Sequence, residues 1–106
     1  MGIQFTREDN SVVASFIDEL SIYTANEYHA ALIEELPSVT DLTINLAGVT
    51  DLDSAGLQLL MALSYLAPDI DVQFVQHSTV VSETLNLLGL ADHFGAPVMS
   101  AAETKI

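Results

Sequence analysis

The residues of this chain whose types and spacing suggest chemistry lie together between Asp51 and Gly56. Ser54 is the one hydroxyl-bearing residue in this stretch; Asp53 precedes it and Ala55 follows it. If a helix begins here, Asp53 or Ser54 can cap it by accepting backbone N–H groups of the first turn. The Ser54 hydroxyl can also accept a phosphoryl group, which would meet free N–H groups and the positive end of the helix.

The flanking sequence predicts the two elements that position these residues within Leu42–Tyr65. Apolar and polar residues alternate over Asp41–Leu46, which predicts a buried strand. From Leu57 onward apolar residues recur at helical spacing, and Pro68–Asp69 is expected to stop that helix. The candidate residues Asp51, Asp53, Ser54 and Gly56 therefore fall in a short loop between a strand and a helix.

The amino-terminal third predicts a hairpin followed by a helix. Short apolar alternations begin at Ile3 and span Val12–Ile17, with turn residues between them. Thr24 and Glu27 have the spacing of a capping box, which predicts a helix that ends at Pro37–Ser38.

The carboxyl-terminal part predicts one more strand and one more helix. Asp71–Gln76 alternates as a strand does, and Ser78 or Thr79 can cap the helix that follows, with Gly89 as its C′ residue. Ala91–Val98 is expected to be irregular or to hold a last short strand, and Ala101–Thr104 a frayed helix. Three apolar residues are expected to share the buried face of the third helix: Val81, Leu85 and Leu88.

These elements predict an α/β fold in a single domain over residues 1–106. The 106 residues, half of them apolar, suffice for one core and not for two ordinary domains. We expect a mixed four- to five-stranded sheet, with an opening antiparallel hairpin and parallel βα units. The chain has no cysteine, which excludes disulfides, a thiolate nucleophile and zinc–thiolate sites.

The charge balance restricts the possible partners. Two basic residues stand against fifteen acidic ones, so no basic face exists for nucleic acid or for an anionic membrane surface. No apolar run approaches the ~18 residues of a membrane span, and no secretory signal opens the chain, so a cytoplasmic protein is expected. Solubility or a salty cytoplasm explains such acidity; the alternative is a partner with a basic surface.

Other motif interpretations of the loop fail at specific positions. A calcium-binding EF-hand loop starting at Asp51 would need ligands where Ala55 and Ala62 stand. The G-x-S-x-G turn of hydrolases would need glycine in place of Leu52. The chain has no glycine-rich phosphate loop and its histidines (His29, His77 and His93) are far apart in sequence, so we expect no nucleotide, metal or other cofactor.

The segment Asp53-Ser54-Ala55-Gly56-Leu57 after a buried strand resembles the hallmark of STAS domains, the fold of bacterial anti-sigma factor antagonists. The resemblance extends to Glu19-Leu20, to Tyr23-Thr24-Ala25, and to Leu85–Leu90 followed by Phe94. It therefore spans nearly the whole chain. Two positions depart from the family pattern: Asp18 replaces a glycine, which could alter the surface beside the hairpin, and Ala55 replaces a second serine.

The resemblance implies a function. In such proteins the serine after the aspartate is phosphorylated by a serine kinase that is also the binding partner. The unmodified domain binds that kinase or anti-sigma factor and frees a sigma factor, and phosphorylation ends the binding. By this resemblance Ser54 is the acceptor, Asp53 orients its hydroxyl, and Gly56 allows close backbone approach.

The helix after the loop is expected to carry the partner surface. At 100° per residue one side holds a core stripe of Leu59, Leu60, Leu63, Leu66 and Ala67. The opposite side holds four residues that we expect to be exposed and to bind the partner: Leu57, Gln58, Met61 and Tyr65. The alternative is that the domain itself covers both sides of this helix.

The sequence thus predicts a non-enzymatic switch that is the substrate of a kinase. One alternative within the fold is a STAS subunit of a transporter, or of a chemotaxis or stress-signalling complex, whose serine is not phosphorylated. Another is a small acyl-transfer enzyme that uses Ser54, for which turnover of an activated ester would have to vanish in Ser54→Ala.

Overall fold

The computed structural model describes residues 2–65 and 69–94. Within them the chain forms four strands and four helices, in this order: β1 (Ile3–Glu8), β2 (Ser11–Leu20), α1 (Ala25–Glu35), β3 (Asp41–Leu52), α2 (Ser54–Ser64), β4 (Asp71–Val75), α3 (Thr79–Leu87) and α4 (Ala91–Phe94).

The strands form one mixed sheet in the order β1-β2-β3-β4. The hairpin partners β1 and β2 are antiparallel, whereas β2–β3 and β3–β4 are parallel, each reached through a connection that contains a helix. This confirms the predicted α/β fold with an opening hairpin. The carboxyl ends of β2 and β3 lie side by side, so the residues after Leu20 and after Leu52 are neighbours.

One face of the sheet carries the core. Ala14 on β2 pairs with Ile44 on β3, which pairs with Phe74 on β4, and all three side chains are buried. The helices add Leu32, Leu60 and Leu85 to the same cluster. Two aromatic rings close it at one end, where Phe94 of α4 packs edge-to-face on Phe74 with centroids 4.9 Å apart. Burial of these apolar side chains is the main stabilising term of the domain.

Both central strands are longer than the sequence predicted. β2 runs past Ile17 to Leu20, and β3 runs past Leu46 to Leu52, because the two strands pair with each other to their ends. The pairing register shifts twice along the way, between Ser15 and Ile17 and again between Asp18 and Glu19. Each irregularity breaks the alternation of apolar and polar residues on which the prediction relied.

Asp18 occupies a left-handed backbone conformation at the second of these irregularities, with φ of 70°. Most residues with a Cβ are strained in this conformation. Glycine is not, and aspartate tolerates it better than most other residues. The conformation gives a physical reason for the glycine of the family pattern, whose replacement was expected to alter the nearby surface.

This backbone strain leads to a prediction. Asp18→Ala should lower the free energy of unfolding by about 1 kcal/mol in urea denaturation. Asp18→Asn, which removes the charge and tolerates the conformation, should stay within about 0.5 kcal/mol of the wild type, and Asp18→Gly should be at least as stable. Equal losses in the alanine and asparagine variants would instead assign the effect to the carboxylate.

The predicted capping box of α1 does not form. Thr24 is the N-cap residue, but its side chain accepts no N–H group of the helix. Its hydroxyl accepts the N–H of Ser21 at 3.0 Å and donates to the carbonyl of Glu19 at 3.1 Å. Because the hydroxyl turns back toward the end of β2, it stabilises the turn before the helix and not the helix itself.

The ends of the later helices differ in part from the prediction. α2 ends at Ser64, before the predicted stop at Pro68–Asp69. Gly89, with φ of 72°, follows the C-cap Leu88 of α3 and confirms the predicted C′ residue. Leu88 is 52% exposed, so the prediction that it shares the buried face of Val81 and Leu85 is wrong; the helix has ended and the chain has turned away there.

The chain after α3 forms the short helix α4, where an irregular segment or a strand was predicted for Ala91–Val98. The rest of that segment and the predicted helix at Ala101–Thr104 lie outside the described residues, as do Leu66 and Ala67 of the predicted core stripe.

Arg7 fastens the hairpin to the end of α1. Its guanidinium donates to the carbonyls of Asp9, Glu35 and Pro37 at 3.1, 3.2 and 3.4 Å. A cation beside the last carbonyls of a helix is favoured by their partial negative charge. Arg7 therefore binds backbone and not a carboxylate, and the described residues form no salt bridge with it.

Candidate functional site

The candidate site lies where β3 passes directly into α2. The predicted loop is a single residue, Asp53, because β3 ends at Leu52 and α2 begins at Ser54. Asp53 is the N-cap residue in extended conformation, and its Oδ1 accepts the N–H of Gly56 at 2.9 Å. Of the two predicted capping residues, the structure therefore selects Asp53.

The same carboxylate also holds the turn that precedes α1. Asp53 Oδ2 accepts the N–H of Ile22 at 3.0 Å, and the Asp53 N–H donates to the carbonyl of Leu20 at 3.1 Å. The N–H groups of Gly56 and Ile22 hold the pKa of Asp53 below its usual value, because they stabilise the charged form. Asp53 thus joins the start of α2 to the turn after β2.

These contacts predict how Asp53 variants respond to pH. Asp53→Ala loses both hydrogen bonds, and Asp53→Asn, with one acceptor oxygen, keeps one of them, so the midpoint of thermal unfolding should fall in the order wild type, Asn, Ala. Because the folded-state pKa is depressed, the stabilisation is present above the unfolded-state pKa and is lost as pH falls through the folded-state value. The gap between wild type and Asp53→Asn should therefore close in acid; a gap that stays constant would contradict this account.

Gly56 allows α2 to pack directly against the end of β2. A Cβ atom on Gly56 would overlap the carbonyl oxygen and carbon of Leu20, neither of which can move without disturbing the pair of strands. This agrees with the close backbone approach expected at Gly56. The residue is needed for space, since its φ is not positive.

Ser54 is the first residue of α2, and it is exposed. Among the described residues its hydroxyl makes no hydrogen bond, and the Asp53 carboxylate, which was expected to orient it, instead accepts the N–H groups of Ile22 and Gly56. Asp51 is exposed nearby, and it lines a groove of about 260 Å³ with Glu19, Ser21, Tyr23, Leu52 and Asp53. The exposed Ser54 thus stands at the positive end of a helix, directly after Asp53, which lines this acidic groove.

A second groove of about 210 Å³ lies between α1 and α2. Ala55, which departs from the family pattern, lines it together with Gln58. The other lining residues are Ala25, Asn26, His29, Leu59 and Ala62. Ser54 therefore stands between two neighbours in the chain that line different grooves.

The faces of α2 agree with the prediction only in part. Leu59, Leu60 and Leu63 are buried as predicted, and Gln58 and Tyr65 are exposed. Leu57 and Met61, which were expected to be exposed, are half-buried and pack against the core cluster. The prediction of an exposed apolar stripe along the whole helix is wrong at these two residues. The core cluster also contacts the side of α2 that was expected to face solvent.

Sequence reasoning missed the two most exposed apolar residues near the site. Ile22 and Tyr23, in the turn between β2 and α1, are 67% and 86% exposed. The available signal was their position: two large apolar side chains stand outside any strand or helix pattern, directly before Thr24. The pairing of Leu20 with Leu52 and the hydrogen bond from Ile22 to Asp53 join this turn to the residue before Ser54.

The histidines do not form a catalytic pair with Ser54 in the described residues. His93 Nε2 lies 2.9 Å from the hydroxyl of Ser64, which itself donates to the Met61 carbonyl at 2.6 Å. His77 is buried. The described part of the chain contains no group of three or more potential ligands placed to hold a metal ion, and none of its helices is long and apolar enough to cross a membrane.

Comparisons with known proteins identify the family and the fold. The family model described as "Mlab, STAS domain" matches residues 3–99. The anti-sigma factor antagonist SpoIIAA in its unphosphorylated form is similar in structure, with a TM-score of 0.71, 18% identity, and coverage of 94% of this chain and 90% of that one. SpoIIAA of Bacillus in its phosphorylated form has a TM-score of 0.69 at 17% identity, and the match covers 94% of both chains.

Two further solved structures share the fold. An anti-sigma factor antagonist from Mycobacterium paratuberculosis has a TM-score of 0.73 at 23% identity, covering 95% of this chain and 87% of that one. The STAS domain of a SulP transporter from Vibrio cholerae has a TM-score of 0.57 at 19% identity, covering 92% and 80%. Among curated proteins no sequence matches. Since the family model spans nearly all of the described fold, this chain belongs to the STAS domain family.

Proposed function

We propose that this domain is a protein-binding switch that binds an anti-sigma factor or related serine kinase while Ser54 is unmodified, and releases it when Ser54 is phosphorylated. The observation that carries the proposal is the exposed Ser54 hydroxyl at the first position of α2, with no partner among the described residues. The solved forms of SpoIIAA, one unphosphorylated and one phosphorylated, support it by analogy of fold.

The physical basis of the switch is a change of surface, not of fold. A phosphate on Ser54 adds about −1.5 to −2 charges beside Asp51 and Asp53, on a domain whose net charge is already −13. The N–H groups at the start of α2 can hold it, so the helix stays intact. A partner packed over this surface would have to desolvate that charge, which costs more than the contacts return.

The test is a binding titration of a serine kinase of the anti-sigma factor class against the wild type, Ser54→Ala and Ser54→Glu. Ser54→Ala should bind constitutively, and Ser54→Glu should bind at least about tenfold more weakly while melting at nearly the same temperature. Intact mass after incubation with ATP and magnesium should show one phosphate, absent in Ser54→Ala. Equal affinities, or a phosphate elsewhere, would refute the switch.

Thr79 supplies a matched control. It is exposed, it is the first residue of α3, and it follows the capping residue Ser78 as Ser54 follows Asp53. Thr79→Glu places the same charge at the start of a different helix and should leave partner binding unchanged. Loss of binding in both variants would indicate a general effect of charge.

The alternative is a STAS subunit that binds a transporter or signalling complex constitutively. The fold shared with the STAS domain of a SulP transporter is the observation in its favour. The same titration separates the two proposals: a transporter or signalling protein that binds the wild type and Ser54→Glu equally well would favour the constitutive subunit.

A further inference from the structure

The turn between β2 and α1 presents an apolar surface with a fixed backbone. Ile22 and Tyr23 project from it, 67% and 86% exposed. The Ile22 N–H is bound by Asp53 Oδ2 at 3.0 Å, and the Tyr23 N–H is bound by the hydroxyl of Ser21 at 3.1 Å. Because the backbone is already held, a partner that packs on these side chains pays little ordering entropy.

Carboxylates surround this apolar pair on one side. Tyr23 lines the groove that also contains Glu19, Asp51 and Asp53. Asp53 is satisfied by backbone N–H groups and Glu19 accepts the hydroxyl of Ser21, but within the described residues no cation pairs with any of them. Arg7, the one arginine or lysine among the described residues, binds carbonyls of the hairpin turn and of the end of α1.

We propose that the turn after β2 and the groove beside it recognise a protein segment, in which apolar side chains pack on Ile22 and Tyr23. A neighbouring arginine or lysine of that segment enters the groove between Glu19 and Asp51. The inference rests on the proposed binding function and adds the chemistry of the partner. Exposed tyrosine beside a smaller apolar residue is typical of interface anchors. Carboxylates without a cation favour a guanidinium, which pairs with them in a bidentate manner.

The charge of the domain selects this occupant over others. A second copy of the chain would bring a further net charge of −13 to the same carboxylates. Nucleic acids and anionic lipid surfaces would be repelled in the same way. A segment with a basic rim gains from the charge, and the apolar pair restricts it to one place on the domain.

The domain contains its own control for non-specific attraction. Asp41 and Asp71 pair at the amino-terminal ends of β3 and β4, at the opposite end of the sheet from Asp51, and both are exposed. No large exposed apolar residue of the described part of the chain lies in β3 or β4. The large apolar residues that are exposed are Ile22, Tyr23, Ile33, Tyr65, Leu87 and Leu88. A merely cationic ligand would visit both ends, whereas the proposed segment prefers Tyr23.

The experiment is an NMR titration of the ¹⁵N-labelled domain with a short amphipathic peptide that has leucine and phenylalanine on one face and flanking arginines. Saturable amide shifts are expected over residues 19–24 and 51–55. A peptide with glutamate in place of arginine should produce none. Shifts of equal size around Asp41 and Asp71, or no saturable binding, would overturn the proposal.

Variants sharpen the result. Tyr23→Ser should weaken binding of the arginine peptide about tenfold or more. Ile33→Ser, on the exposed side of α1, should leave the affinity unchanged. Glu19→Gln combined with Asp51→Asn should weaken it, and the same change of charge in Asp41→Asn with Asp71→Asn should not. Unaltered binding by Tyr23→Ser would also overturn the proposal. An unchanged spectrum away from each substitution shows that the fold is kept.

The titration uses the domain with Ser54 unmodified and requires no kinase. If the arginine peptide does not bind while the Ser54 variants still differ in affinity for the kinase, the proposed chemistry of the partner is wrong and the phosphorylation switch stands. If the peptide binds as expected while the Ser54 variants do not differ, the docking surface stands and the switch is wrong.

Discussion

Replacing Gly56 by alanine should destabilise the domain by about 3 kcal/mol, as measured by urea denaturation. The added Cβ overlaps the carbonyl group of Leu20, which also accepts the N–H of Asp53. Removing this overlap would require α2 to move away from β2. That movement would weaken the contacts of Leu59 and Leu60 with the core. The loss should appear as a lower midpoint with a similar slope.

Gly89 is the matched control for this substitution. It has a positive φ of 72°, but a Cβ there would meet no atom within 4 Å. Gly89→Ala should therefore cost only the backbone strain of about 1 kcal/mol. If Gly56→Ala were as stable as Gly89→Ala, the close packing of α2 on β2 would not be a stabilising feature of the domain.

Leu63→Asp should leave the domain unfolded under conditions in which the wild type is folded. Leu63 is fully buried on α2, and a carboxylate there would be charged, desolvated and unpaired, which costs several kcal/mol, a large part of the total stability of a small domain. Far-UV circular dichroism and thermal unfolding measure the result.

Aspartate substitutions at two other residues of α2 provide a comparison for this loss of stability. Gln58→Asp changes an exposed side chain and should be nearly neutral. Met61 was expected to be exposed but is half-buried against the core, so the loss of stability in Met61→Asp should fall between those of the other two variants. A loss in Met61→Asp as large as that in Leu63→Asp would mean that α2 has no partly open side.

The fold was predictable because local patterns and tertiary structure agree over most of the chain. The alternation around Ile44 and the helical spacing of Leu59, Leu60 and Leu63 follow directly from burial on one face. The strand ends were not predictable, since β2 and β3 continue through irregularities that only their mutual pairing stabilises. The Thr24 hydroxyl was misassigned because its competing partners, Ser21 and Glu19, come from the preceding turn and strand.

The part of the candidate site formed by residues close together in sequence was predicted, and the part formed by residues far apart in sequence was missed. Asp53, Ser54 and Gly56 lie within four consecutive residues, so their spacing alone indicates a strand–helix junction. The approach of Ile22 to Asp53 joins residues 31 positions apart through one hydrogen bond. No periodicity carries that information, and the exposed pair Ile22 and Tyr23 could be associated with Ser54 only once β2 and β3 were placed side by side.

The use of Arg7 as a backbone ligand has a kinetic consequence. Its guanidinium binds three carbonyls and pairs with no carboxylate of the described residues, so the acidic side chains keep their charge unpaired by Arg7. With a net charge of −13, the negative potential of the protein extends into solvent. Electrostatic steering of this kind accelerates encounter with a positively charged protein and is screened over about 8 Å at physiological ionic strength. Added salt should therefore slow association far more than it hastens dissociation, which short-range contacts govern.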